Sequence, residues 1–159
     1  MTPRYAVLIG QLQQFLTDLE QVVERNQRLL QKYKATQDED YVGTLALNLH
    51  GFYTGVERCF EEIARQLDET VPSGTDWHRR LLRQMSAELP DLRPPVIQTA
   101  TRQAIDEYRA FRHVVRNVYT FDLQPHRVVV LAEALAACFT VFKQDIETFC
   151  EFLKSISLA

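Results

Sequence analysis

Side chains able to bind phosphate or move a proton are concentrated in one short stretch of the chain. Placed on a helix at about 100° per residue, six of them fall on one polar arc: Arg109, Arg112, His113, Arg116, Asn117 and Tyr119. The apolar residues of the stretch fall on the opposite face. Guanidinium groups bind phosphate through paired hydrogen bonds, and histidine changes charge near neutral pH. The stretch therefore has the groups needed to hold a phosphodiester and to move a proton beside it.

This cationic stripe is also typical of the solvated face of an ordinary surface helix. Against that interpretation, no carboxylate occurs between Arg109 and Asp122. Like charges therefore meet at the i,i+3 and i,i+4 spacings. An anion or a partner surface opposite the stripe would relieve this repulsion, and an RNA backbone or a nucleotide is the natural candidate.

The composition is that of an ordinary globular chain. Its 159 residues predict a single domain, 1–159, and 46% apolar residues are enough to fill a core. The net charge is −3, so any affinity for nucleic acid must come from a local patch. The N-terminal apolar run is short, so we expect no signal peptide, no membrane span and a cytoplasmic protein.

Metal and cofactor motifs are not found in the sequence. The three cysteines lack CxxC spacing and lie within apolar helical patterns, so we expect reduced thiols in the core. The four histidines have no i,i+3 or i,i+4 partners, and no P-loop or dinucleotide-binding motif occurs. We therefore expect neither a metal nor a cofactor.

Apolar residues recur at helical spacing in five segments, and the predicted fold class is all-α, an up-and-down bundle of four to five helices. The segments are about 3–33, 40–68, 75–87, 99–120 and 125–156. Thr75 is the predicted cap of the third helix, and Trp77 is expected to anchor its packing. The last segment is apolar over much of its circumference, which favours a homodimer.

Three short motifs resemble those of one family. Arg112, Asn117 and Tyr119 have the spacing of the R-x4-H-x-Y signature of HEPN-fold ribonuclease toxins of the HepT-like group, with Asn in place of the motif His. The words HGFYTGVER at 50–58, PSGTDWH at 72–78 and FRH at 111–113 also resemble that group and occur in the same order.

The resemblance implies a HEPN-like homodimer with the motif helices of both subunits lining one cleft. It also implies the toxin subunit of a type VII-like toxin–antitoxin module and metal-independent RNA cleavage. In that chemistry a base takes the proton of a ribose 2′-hydroxyl, which attacks the adjacent phosphate. Arg112 matches the charge-stabilising Arg, and Arg109 and Arg116 are expected to bind RNA. Tyr119 matches the residue to which a minimal nucleotidyltransferase antitoxin transfers AMP from ATP.

Asn117 departs from the family pattern, because an amide cannot shuttle a proton near neutral pH. A positioned acid–base group contributes about 10²–10⁴ in rate, so we expect weakened or absent cleavage. Three explanations stay open: a natural attenuated relative, a takeover by His113, or a deliberate replacement of the histidine. The alternative function is a non-catalytic helical module that holds RNA, a nucleotide or a nucleotidyltransferase through the same basic face.

Overall fold

Five α-helices make up the fold, as seen in a computed structural model that describes residues 2–117 and 123–158, apart from the side chains of Arg116 and Asn117. They are α1 (Pro3–Thr36), α2 (Asp40–Ile63), α3 (Trp77–Ser86), α4 (Thr99–Asn117) and α5 (Pro125–Ser157). Within the described ranges there is no β-strand, only an isolated bridge between Leu89 and Arg93. The predicted all-α helical bundle is confirmed.

The helix boundaries agree with the sequence-based prediction to within a few residues, with two local differences. The segment Ala64–Asp68 is a π-helical turn that continues α2, so the predicted single helix to residue 68 changes its hydrogen-bonding pattern near its end. Asp76, and not Thr75, is the residue at the N-cap of α3. The predicted end of the fourth helix, near Thr120, lies outside the described residues.

Helix α2 lies at the centre of the bundle and contacts each of the other four helices. The ring of Phe52 meets Tyr108 of α4 and Phe139 of α5 edge to face, with centroids 5.5 and 6.5 Å apart. Such pairs add about 0.5–1.5 kcal/mol beyond the burial of the rings themselves. Buried apolar residues run along the whole length of α2: Val42, Leu45, Ala46, Leu49, Phe52, Val56, Phe60 and Ile63.

Two buried polar side chains attach α1 and α4 to α5. Asn26 of α1 donates its side-chain N–H to the carbonyl of Ala132 at 2.8 Å, and the Tyr108 hydroxyl donates to the carbonyl of Leu131 at 2.7 Å. Burying these groups without partners would cost about 1–3 kcal/mol each. The bonds therefore fix the register of α1 and α4 against the middle of α5.

The three cysteines are buried and unpaired, as the sequence predicted. Burial raises the pKa of Cys138 to about 12 and that of Cys150 to about 11. The pKa of Cys59 is also raised, first of all by burial. Thiols in this state are poor nucleophiles at neutral pH.

Helix α5 is long and apolar enough to cross a membrane, judged by its length and composition alone. In the bundle it contacts α1, α2 and α4, and its buried side chains include Leu131, Phe142 and Phe149.

A buried ion pair holds the connection between α3 and α4. The side chains of Arg93 and Asp68 are 0% and 1% exposed, and both carboxylate oxygens accept hydrogen bonds from the guanidinium, at 2.7 and 2.8 Å. The remaining donors of Arg93 reach main-chain carbonyls of Gln84, Ala87 and Pro94. Arg93 thereby ties the loop after α3 to the π-helical turn that ends α2.

We expect Asp68→Ala to lower the free energy of unfolding by about 3–5 kcal/mol, because it leaves a buried guanidinium without its counter-charge. Urea denaturation followed by circular dichroism measures the loss. The matched control is Glu69→Ala in the next residue, whose carboxylate is 72% exposed and pairs with Arg4; a loss below about 1 kcal/mol is expected there. Equal losses in the two variants would contradict the assignment.

Candidate functional site

A cleft of about 680 Å³ lies between the start of α3 and the last turns of α4. Three of the predicted site residues, Arg109, Arg112 and His113, lie along its α4 wall. The opposite wall comes from α3 and the turn before it. The charged and ionisable side chains that line the cleft are Asp76, His78, Arg79, Arg109, Arg112 and His113.

Arg109 is neutralised within its own helix. Asp106 lies one turn earlier and accepts a hydrogen bond from Arg109 Nε at 2.5 Å. This bond raises the pKa of Arg109, and the nearby charge of Asp76 adds to the effect. The repulsion inferred from the spacing of the stripe is therefore partly relieved by two carboxylates that precede it, and Arg109 is not a free cation facing solvent.

Arg112 differs from Arg109, because it forms no ion pair with any carboxylate in the described part of the chain. Its Nη1 lies 3.5 Å from His78 Nε2, at the outer limit of a hydrogen bond. Its Nε is buried and makes no hydrogen bond with any described residue. Half-buried and weakly anchored, this guanidinium has donors left to bind an anion in the cleft.

Glu57 and His78 form a second part of the site that sequence reasoning did not assign. Glu57 of α2 is 5% exposed, and its Oε2 lies 2.5 Å from His78 Nδ1. Burial, followed by the nearby charge of Glu57, raises the pKa of Tyr53 well above its ordinary value. A donor from another helix, His78 of α3, therefore satisfies this buried carboxylate.

The imidazole of His78 is held on its face as well as on its edge. Trp77 stacks against it with ring centroids 3.8 Å apart and an angle of 32° between the planes. Trp77 itself packs on the hydrophobic core, as its predicted role as a packing anchor requires. The side chain of His78 stays 23% exposed, so its free edge reaches the cleft.

A second groove, of about 590 Å³, continues the cleft along α3 and α4. Arg79 lines both, and Arg83 and Arg102 line the groove on its two sides. Asp106 and Glu107 also border it, so the surface is mixed in charge with a majority of arginines. The two concave surfaces adjoin at Arg79, and five arginines and three carboxylates line them.

The other predicted site residues lie beyond what the structure describes. The side chains of Arg116 and Asn117 and the whole of Tyr119 are outside the described residues. Among the residues that are described, no three His, Cys, Asp or Glu side chains converge as metal ligands would.

A signal for the missed residues was present in the sequence. Glu57 follows Leu49 and Tyr53 at i,i+4 spacing and therefore lies on the apolar stripe of α2, where a carboxylate is out of place. A buried carboxylate needs a donor from another element. His78, at the end of the PSGTDWH word, is that donor.

The fold and the cleft define an all-α bundle with a basic site between two helices, and comparison with known proteins places it in a family. The family model described as HepT-like protein matches residues 44–153. This chain belongs to the HepT-like HEPN-fold proteins, which confirms the resemblance seen in its motifs. No curated protein and no solved structure matches it. All three motif regions fall within the matched range. Glu57 lies in the first (50–58), His78 in the second (72–78) and Arg112 in the third (111–113).

We expect a double-mutant cycle on Glu57→Gln and His78→Gln to give a coupling energy of about 1–3 kcal/mol, because their hydrogen bond is charged and largely buried. Urea denaturation of the four proteins measures it. The control cycle uses the exposed pair of Glu151 and Lys154, where about 0.5 kcal/mol or less is expected. Coupling no larger than in the control would show that the pair does not form in solution.

Proposed function

We propose that this chain is the toxin subunit of a type VII-like toxin–antitoxin module, acting in the cytoplasm as a metal-independent endoribonuclease. The observation that supports this proposal is the state of Arg112. Its guanidinium is half-buried in the cleft, has no carboxylate partner among the described residues, and lies beside a histidine. Such a group suits a phosphodiester, which accepts hydrogen bonds from a planar fork. Membership in the HepT-like proteins supports the same function.

Arg112 stabilises the charge that develops on the phosphate when the ribose 2′-hydroxyl attacks it. Arg109 is already paired with Asp106, so it contributes to the electrostatic potential of the cleft and does not contact the phosphate directly. His113 lines the same wall and is exposed. The amide of Asn117 supplies no proton transfer, so the chain is a slow form of its family's enzyme.

The groove lined by Arg79, Arg83 and Arg102 is the proposed path of the RNA away from the reacting phosphate. From residue 102 to residue 112 a helix rises about 15 Å, which is enough for several backbone phosphates. The chain as a whole has a net charge of −3, so binding depends on this local path and weakens with salt.

A homodimer is part of the proposal, and exposed apolar residues of α5 support it. Val130 and Val141 are 49% and 41% exposed. The exposed Ala134 and Ala137 lie between them on the same face at about 100° per residue. An apolar stripe of this kind on the longest apolar helix is a suitable surface for a second copy of the chain.

We expect Asn117→His to raise the rate of RNA cleavage by about 10²–10⁴, because it restores a positioned acid–base group next to Arg112. Cleavage of end-labelled RNA in the presence of EDTA measures the rate. Adding Arg112→Gln should remove the gain, whereas Arg28→Gln on the exposed face of α1 should not.

Binding of RNA without cleavage by either form would instead favour the second candidate, a non-catalytic module. Asn117 is the observation that favours that candidate. Absence of RNA cleavage, together with absence of binding to RNA, to a nucleotide and to a nucleotidyltransferase, would exclude the two functions together.

The antitoxin part of the proposal rests on Tyr119. A nucleotidyltransferase would transfer the α-phosphate of ATP with its adenosine to the phenolic oxygen, and pyrophosphate would leave. The added phosphate would then neutralise the cationic side chains of α4 and block the cleft to RNA.

Incubation with ATP and a minimal nucleotidyltransferase from a module of this family should add one or more AMP units to the chain. Intact-mass spectrometry detects them, and Tyr119→Phe should abolish the gain. The control is Tyr5→Phe, a half-buried tyrosine near the start of α1. Unchanged modification of the Tyr119→Phe protein would reject this acceptor.

A further inference from the structure

We propose that His78, positioned by Glu57, is the general base that removes the 2′-hydroxyl proton in this chain. The inference rests on the proposed ribonuclease function and deepens it, because it names a group for the step that Asn117 cannot perform. It assigns the base to the α3 wall of the cleft, opposite α4, the helix that carries Arg112.

The contact with Glu57 selects the useful tautomer of His78. An ionised carboxylate such as the buried Glu57 presents only acceptor sites to the imidazole. Nδ1 therefore carries the proton and donates it to Glu57 Oε2 across 2.5 Å. The lone pair is left on Nε2, and Nε2 is the atom that faces Arg112.

The position of Nε2 fits the geometry of the reaction. It lies 3.5 Å from Arg112 Nη1, so a phosphate bound by Arg112 would hold its neighbouring ribose within reach of the imidazole. A general base must come within about 2.6–3.2 Å of the proton that it takes. Trp77 and Glu57 restrict the ring on its face and its edge, so little rotational freedom is lost when substrate binds.

Charges of both signs surround His78. The carboxylates are those of Glu57 and Glu61 on α2 and of Asp76 at the N-cap of α3. The guanidinium groups are those of Arg112 and Arg109 on α4 and of Arg79 on α3. A phosphate bound in the cleft would pair with these arginines and leave the carboxylates to face the imidazole.

In the proposed step, the 2′-oxygen loses its proton to His78 Nε2 and forms a bond to phosphorus. The bond between phosphorus and the 5′-oxygen breaks, and the leaving oxygen takes a proton from solvent water. The products are a 2′,3′-cyclic phosphate and a free 5′-hydroxyl. His78 returns its proton to solvent, so no oxidant, metal or second substrate is needed.

The test is metal-free cleavage of end-labelled RNA by the unchanged chain, with binding of the same RNA measured in parallel. We expect His78→Gln to lower the cleavage rate by about 10²–10⁴ with binding retained. Glu57→Gln should lower kcat about tenfold or more with little change in KM, because it weakens support of the imidazolium. The matched control is His126→Gln, an exposed histidine at the start of α5.

Chemical rescue separates a base from a structural histidine. Imidazole added to the His78→Ala protein should restore part of the cleavage, whereas thiazole, a ring of similar size and weaker basicity, should not. RNA with a 2′-deoxyribose at the scissile position should bind and stay intact. Thermal unfolding of each variant checks that the bundle is preserved.

The outcomes divide the two proposals. Cleavage by His78→Gln at the unchanged rate overturns the inference and leaves the ribonuclease function standing. Cleavage by Asn117→His alone, with none by the unchanged chain, also overturns it, because His78 would then not act in place of residue 117. Failure of the unchanged chain and of Asn117→His to bind or cleave RNA removes the proposed function and the inference with it.

Discussion

The burial of α2 is the constraint on which the rest of this structure depends. Helix α2 contacts the four other helices, and the buried apolar stripe from Val42 to Ile63 supplies the driving force for that packing. The exception on this stripe is Glu57. A carboxylate there cannot stay buried without a donor, so α3 must be placed where His78 satisfies it. The position of His78 in the site thus depends on the buried carboxylate of Glu57.

The short helix α3 owes its position to contacts outside itself. With ten residues, it is too short to be stable alone. Its end is held by Met85, whose carbonyl accepts hydrogen bonds from the main-chain N–H groups of Val96 and Ile97. The same loop is anchored by Arg93 to Asp68 at the end of α2. These contacts fix both α3 and the start of α4 relative to α2. They therefore hold the two helices that form the walls of the cleft in position.

Periodicity alone was sufficient to predict the helices, because each apolar stripe has the spacing that a core-facing helix requires. It also placed Arg109, Arg112 and His113 on one face, and the three line one cleft. It could not give the pairing of Glu57 with His78, because this contact joins two helices across 21 residues of sequence. The pairing of Arg109 with Asp106 was open to prediction, because the i,i+3 spacing brings the two side chains together on one helix. Contacts between elements depend on packing angles that a single-helix pattern does not contain.

The arrangement also changes how the substitution at position 117 is to be understood. On one helix, residues 112 and 117 are separated by about 7.5 Å along the axis and about 140° around it, so a motif confined to that helix fixes the base and the arginine in a single relative position. A cleft between two helices removes this restriction, since the second wall can present a base directly to the first. His78 lies on that second wall, 3.5 Å from Arg112, and its orientation is set by α2 instead of α4. In the proposed mechanism, the asparagine at position 117 therefore leaves intact the geometry in which His78 acts as the base.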